Sequence, residues 1–267
     1  MTDRVESTRL SGHVVICNVN EKVRAIVDQV RSNPVAGTVD IVLIVQDRKL
    51  WQANPDWHPS VGHPGQVFTI FGCPAERDIL RQASISRARV AIVLADPNHG
   101  MLADARSTLI GISIERENPQ VHTVMELILS VNRSHLRATE VDDVVCLGEL
   151  SEKLLSQSAV TPGVSRLFSH LLSSEPGTAH LFARGIPSGL EGVTYREVAR
   201  RAIRRGVSYL VCGFTRQSGD GGGGERGRVV VFNPRVDTDP GKDSCLVEGD
   251  ELILLASGEP DLLGLVG

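Results

Sequence analysis

Apolar positions recur along the chain in two periods that take turns. Residues 13–17 (HVVIC) are a short, β-branched apolar run, and Val23, Ile26, Val27 and Val30 then repeat at helical spacing, so strand gives way to helix across residues 18–22. Apolar runs at 39–46, 66–71, 89–94, 121–127 and 143–147 predict further strands, with helices at 75–83, 101–117 and 133–137 between them. In the long helix, Leu102, Ala105, Leu109, Ile112 and Ser113 have core spacing. Near-continuous apolar strands are those of a parallel sheet covered on both faces. Residues 12–148 therefore predict an α/β lobe, a Rossmann-like doubly wound parallel sheet whose ligands meet the carboxyl ends of its strands.

One segment breaks the rhythm. Residues 48–65 contain both tryptophans, and Pro55, Pro59 and Pro64 prevent a single helix there. Trp57, His58 and His63 suggest a metal site or aromatic cage, against which stands a long loop pinned to the lobe by its tryptophans.

Beyond the sheet, residues 149–174 read as a helical pair broken at Thr161-Pro162-Gly163. Leu154, Leu155, Leu167, Phe168, Leu171 and Leu172 give it more apolar surface than a linker needs. It is expected to be a crossover arm that grips a neighbour. Residues 175–267 predict a smaller α+β domain: strands at 179–183, 207–213, 228–232 and 250–255 in a mixed sheet, and a helix at 194–205 with Thr194 as N-cap. Residues 217–226 are a glycine-rich hairpin loop, and Gly249-Asp250 make a tight turn before the last strand.

The candidate chemistry lies at the first turn. A dinucleotide-binding G-x-G-x-x-G would lie here, its glycines letting the backbone approach a pyrophosphate at the helix N-terminus. Asn18, Asn20 and Val23 occupy those three positions. Asn tolerates left-handed backbone angles, but its side chain fills space the pyrophosphate would need. Asp47 follows the second strand, where a Rossmann fold keeps an acid for the ribose hydroxyls, although a loop or cap role also suits it. Glu126 and the strand-end acids Asp47 and Asp96, with Asp104 on the next helix, are candidates to converge as Ca²⁺ ligands; ordinary caps and solvated acids are the alternative.

Composition narrows the classes. No apolar run is long enough to span a bilayer and the first residues are not those of a signal peptide, so the chain reads as cytoplasmic. Five scattered cysteines lack C-x-x-C pairing and read as reduced thiols. A net charge of -4 and 4% aromatic residues argue against nucleic-acid binding. The Arg-rich face of the 194–205 helix reads as a solvated face. No G-x-S-x-G, H-E-x-x-H or Walker sequence is present, so no catalytic residue is assigned and the chain is not expected to be an enzyme.

Taken in order, residues 12–17, Gly72, Asp78-Ile-Leu80 with Ala88, the 104–114 helix, Val124-Met-Glu126 with Asn132-Arg133, Val141-Asp-Asp-Val144 and 246–250 resemble the RCK (regulator of potassium conductance, TrkA-N/TrkA-C type) family over about residues 12–256. The resemblance implies a homodimer joined through the crossover helices (Leu154, Leu155, Leu167, Phe168, Leu171) and an octameric ring under a potassium channel pore, at the inner face of the membrane. It also implies a ligand, Ca²⁺ or an adenine nucleotide (NAD, ATP or ADP), bound in the Rossmann cleft. A nucleotide there would meet Asn18, Asn20, Glu21, Lys22, Asp47, Gly72 and Asp96. Glu126 matches a carboxylate of calcium-gated members, while the acid expected two residues on is Ile128. Residues 1–11 resemble the segment linking a pore helix to the ring. A free-standing regulatory subunit of a Trk/Ktr-type transporter and a degenerate Rossmann oxidoreductase are the alternatives.

Overall fold

The computed structural model describes residues 10–33, 36, 38–60, 65–139, 141–173, 178–217, 228–238 and 240–266. Their contacts divide the chain into two units, one ending at Val164 and the other beginning at Ser165.

The first unit is the expected α/β lobe. Strands β1 (Val14–Cys17), β2 (Ile41–Val45), β3 (Val67–Phe71), β4 (Val90–Val93), β5 (His122–Leu127) and β6 (Asp143–Cys146) form one sheet in the order β3-β2-β1-β4-β5-β6. Every pairing is parallel. Because strand side chains alternate between faces, β1 and β2 feed two separate cores. Val15, Cys17, Val42 and Ile44 pack with Leu80, Ile110, Ile114 and Met125. Val14, Ile16, Ile41 and Leu43 pack with Val23, Val27 and Trp51. Burying one such aliphatic side chain is worth about 1.5–3 kcal/mol, which is why β1 and β2 carry no polar residue.

Helices α1 (Val23–Ser32), α2 (Arg48–Ala53), α3 (Arg77–Gln82) and α4 (Ala103–Glu117) cover the sheet. The prolines split the 48–65 segment as expected, but its start is helical: α2 is followed by a 3-10 turn at Pro55–Trp57. Trp51 is buried and stacks on His58 at 4.3 Å between ring centroids, so these rings pin the segment down. His63 lies outside the described residues. The helix expected at 133–137 is a 3-10 helix, Ser130–Ala138.

The α4 core assignment needs correcting. Leu102, Leu109 and Ile112 are 66%, 56% and 39% exposed, and Ala105 is exposed. The buried face is Ala103, Ser107, Ile110, Gly111 and Ile114. Small residues win this face because the helix lies close on the sheet: a Cβ at Gly111 would fall 2.5 Å from Met125 Cε. The large apolar residues are left outside.

Helices α5 (Leu147–Val160) and α6 (Val164–Leu172) follow β6, and neither contains a buried residue. In the second unit, β7 (His180–Gly185), β8 (Tyr209–Gln217), β9 (Arg228–Phe232) and β10 (Glu251–Ala256) pair in the order β7-β10-β8-β9. The sheet is wholly antiparallel, not mixed. Helix α7 (Tyr195–Arg205) packs Tyr195, Val198 and Ala202 against Phe182, Phe214, Leu252 and Leu254. Thr194 caps it, its hydroxyl accepting from Glu197 N–H at 3.3 Å, and Gly206 ends it in the left-handed region at φ 61.

Burial also decides thiol chemistry. Cys17 is fully enclosed and its thiol is pushed up to about 12 by burial, whereas Cys245 is exposed. An alkylating reagent is expected to modify Cys245 in the folded protein and Cys17 only after denaturation. Mapping the labelled peptides checks this, and native labelling of Cys17 would show that the sheet opens.

Candidate functional site

The strand order reverses between β1 and β4, and doubly wound sheets bind ligands in the crevice outside the carboxyl ends at such a switch point. Residues on the β1–α1 turn and at the ends of β2, β4 and β5 line it. Asn18 takes the left-handed conformation, φ 58, that a glycine usually supplies. The turn thus survives without its glycines, but its side chains are committed. Asn18 Nδ2 donates to Leu94 O at 3.0 Å and Asn20 Nδ2 to Ala95 O at 2.9 Å. The oxygens of both carboxamides accept in turn, Asn18 Oδ1 from Gln46 Nε2 at 2.7 Å and Asn20 Oδ1 from Lys22 N–H at 3.0 Å. Arg106 of α4 extends the chain of bonds, donating to Gln46 Oε1 at 2.7 Å.

Across the crevice, Glu126 is 8% exposed. One oxygen accepts from Lys22 Nζ at 2.5 Å and the other from Ala95 N–H at 3.0 Å. A residue of the first turn is thereby joined to the end of β5, and the Leu94–Ala95 segment after β4 is held by Asn18 and Asn20 on one side and by Glu126 on the other.

The acids proposed as Ca²⁺ ligands have separate occupations. Asp104, 4% exposed, accepts from Ile128 N–H at 2.8 Å, Leu129 N–H at 3.1 Å and Asn132 Nδ2 at 2.7 Å, closing the chain after β5. Asp47 is the N-cap of α2, its carboxylate accepting from Leu50 N–H at 2.9 Å. Asp96 Oδ2 lies 2.8 Å from His99 Nδ1. Among the described residues no group of three or more His, Cys, Asp or Glu side chains is placed to hold a metal ion. Glu21 is exposed in the turn, and Gly72, after β3, donates its N–H to Val45 O at 3.0 Å. A calcium ion would compete with the protein N–H groups that Leu94 O, Ala95 O and Glu126 already accept, whereas a pyrophosphate would meet the Asn18 and Asn20 side chains.

Sequence reasoning found Asn18, Asn20, Lys22 and Glu126 but not their partners. Gln46 and Arg106 carry no motif, and the Lys22–Glu126 pair spans 104 positions, beyond any local pattern.

Residues 9–125 match the family model of the calcium-activated potassium channel slowpoke-like RCK domain, which runs from the start of β1 almost to the end of β5. The match falls on the α/β lobe. Over 258 residues the chain is 27% identical to the calcium-gated potassium channel TvoK of Thermoplasma volcanium, covering 95% of this chain and 65% of that protein. It is 22% identical over 256 residues to the probable ion channel POLLUX of Oryza sativa subsp. japonica, covering 92% of this chain and 24% of that one. The chain thus spans just under two thirds of the first relative and about a quarter of the second. Among solved structures, the human SLO3 gating ring matches with a TM-score of 0.59 at 14% identity, over 92% of this chain and 44% of that one, a likeness of fold. No described helix is long and apolar enough to cross a membrane.

Proposed function

We propose that this chain is a cytoplasmic gating-ring unit of a potassium channel, held at the inner face of the membrane by its pore. It converts ligand binding in the switch-point crevice into movement of its neighbours. The observation that carries this reading is the unpartnered apolar surface of α5 and α6. Leu155 is 71% exposed, Leu167 56% and Phe168 40%, and Leu154 and Leu171 are half-buried, on two helices that bury nothing. Apolar faces of this kind are expected to pair with a second copy. Pairing of lobes in turn builds a ring. The ligand classes to test are Ca²⁺, since TvoK is described as calcium-gated, and an adenine nucleotide. Entry of either requires the Asn18, Asn20 or Lys22 links to open, so binding and displacement of the β1–α1 turn are one event. The chain acts by moving partners, and NADH is expected to be bound, if at all, without turnover.

Light scattering on the eluting protein tests the assembly. Wild type is expected as dimers and larger rings, and the double variant Leu155→Asp, Leu167→Asp as monomers, with pairing weakened at least about 100-fold because two carboxylates would be buried in an apolar contact. A wild-type monomer at all concentrations would defeat the reading.

A further inference from the structure

We infer that the Lys22 ammonium is a resident substitute for a diffusible cation at Glu126, closing the crevice to divalent metal. This rests on the reading of the crevice as the ligand-sensing site. Three observations converge. Glu126 is buried with both oxygens engaged, one by the ammonium at 2.5 Å and one by Ala95 N–H. The main-chain oxygens beside it, Leu94 O and Ala95 O, are the kind of hard ligand a divalent cation takes, but they accept from Asn18 and Asn20. Those carboxamides in turn spend their own oxygens on Gln46 and on Lys22 N–H.

The donor set thus offers a cation one carboxylate whose negative charge the Lys22 ammonium already balances. Calcium needs six to eight oxygens, so it would have to expel the ammonium and turn two side chains. Lys22 also does mechanically what a bridging ligand would do. It leaves the first turn and fastens on the end of β5, joining the two sides of the switch point without any ligand from solution. A nucleotide makes no demand on Glu126 and is not excluded by the same argument.

The test uses the full chain. Both tryptophans, Trp51 and Trp57, lie in the α/β lobe, so tryptophan fluorescence reports its melting. Wild type is expected to shift by less than about 1 °C in about 10 mM CaCl₂ relative to KCl of equal ionic strength. Lys22→Ala is expected to melt several degrees lower and to recover with rising CaCl₂, and Lys22→Ala/Glu126→Gln is expected to lose that recovery. Lys22→Met, which keeps the length of the stem, is the second variant if the alanine form does not fold. An upward shift of wild type in CaCl₂ that Glu126→Gln abolishes would overturn the proposal, since metal would then displace Lys22. Folded Lys22 variants with no response to CaCl₂ would overturn it too, making the pair only structural. Light scattering on the same samples separates this from the gating reading: a chain that never self-associates defeats that reading whatever Lys22 does.

Discussion

Replacing Asp250 by alanine is expected to destabilise the second unit by about 3 kcal/mol, the low end of the range for breaking a buried ion pair. Asp250 is 1% exposed and lies immediately before β10. Its two oxygens accept from Arg216 of β8, Nε at 3.0 Å and Nη2 at 2.6 Å, and one also accepts from Val247 N–H at 3.0 Å. Arg216 Nη2 goes on to Cys245 O at 2.7 Å, so a single carboxylate fastens the 245–250 turn to the neighbouring strand. Without it, the guanidinium keeps Cys245 O but loses both carboxylate bonds, and the Val247 N–H loses its acceptor. The low end of the range applies because the Arg216 side chain is 25% exposed and water can recover part of the loss. Tyr195 and Tyr209 are the only tyrosines and both belong to this unit, while both tryptophans belong to the other. Urea unfolding followed in the tyrosine region of the near-UV circular dichroism should shift its midpoint to lower urea, with the tryptophan transition unmoved. An unchanged tyrosine transition would refute the assignment.

The second large effect is expected at Asp104. Asp104→Ala removes a buried carboxylate that holds two consecutive backbone N–H groups and the Asn132 amide. A hydrogen bond to a charged group is worth about 1.5–3 kcal/mol, and the orphaned N–H groups add their desolvation, so a total loss of about 3–4 kcal/mol is expected. Asp104→Asn keeps one strong acceptor oxygen and is expected to recover roughly half of that. Tryptophan-detected melting measures both. If Asp104 were instead a metal ligand, alanine would leave the metal-free melting temperature nearly unchanged.

Much of the α/β lobe was legible because burial on both faces forces long apolar strands, and that composition shows in a linear sequence. The α4 core was misread for a related reason. Ala103, Ser107 and Gly111 carry little hydrophobic signal, yet they face the sheet because they let the helix come close. Leu102, Leu109 and Ile112 carry a strong signal and face outward. Apolar periodicity reports a stripe without saying which of two stripes is inside. The acids are a different case. Asp47, Asp96 and Glu126 lie at or near strand ends and Asp104 on the next helix, as expected, but such a position does not say what a carboxylate already holds. Three of the four accept protein N–H groups, and none joins a ligand cluster among the described residues.

The sequence by itself determined the order of elements, the parallel α/β character of the first lobe, the turn without glycines and the apolar character of the 149–174 helices, because each follows from side-chain size and polarity read over a few neighbouring positions. Tertiary structure alone decided that Lys22 meets Glu126, that Gln46 and Arg106 complete the network around Asn18, and that Asp104 serves the backbone. Those pairings depend on which strand ends lie side by side, and contacts across 24 to 104 positions leave no local trace in the order of the residues.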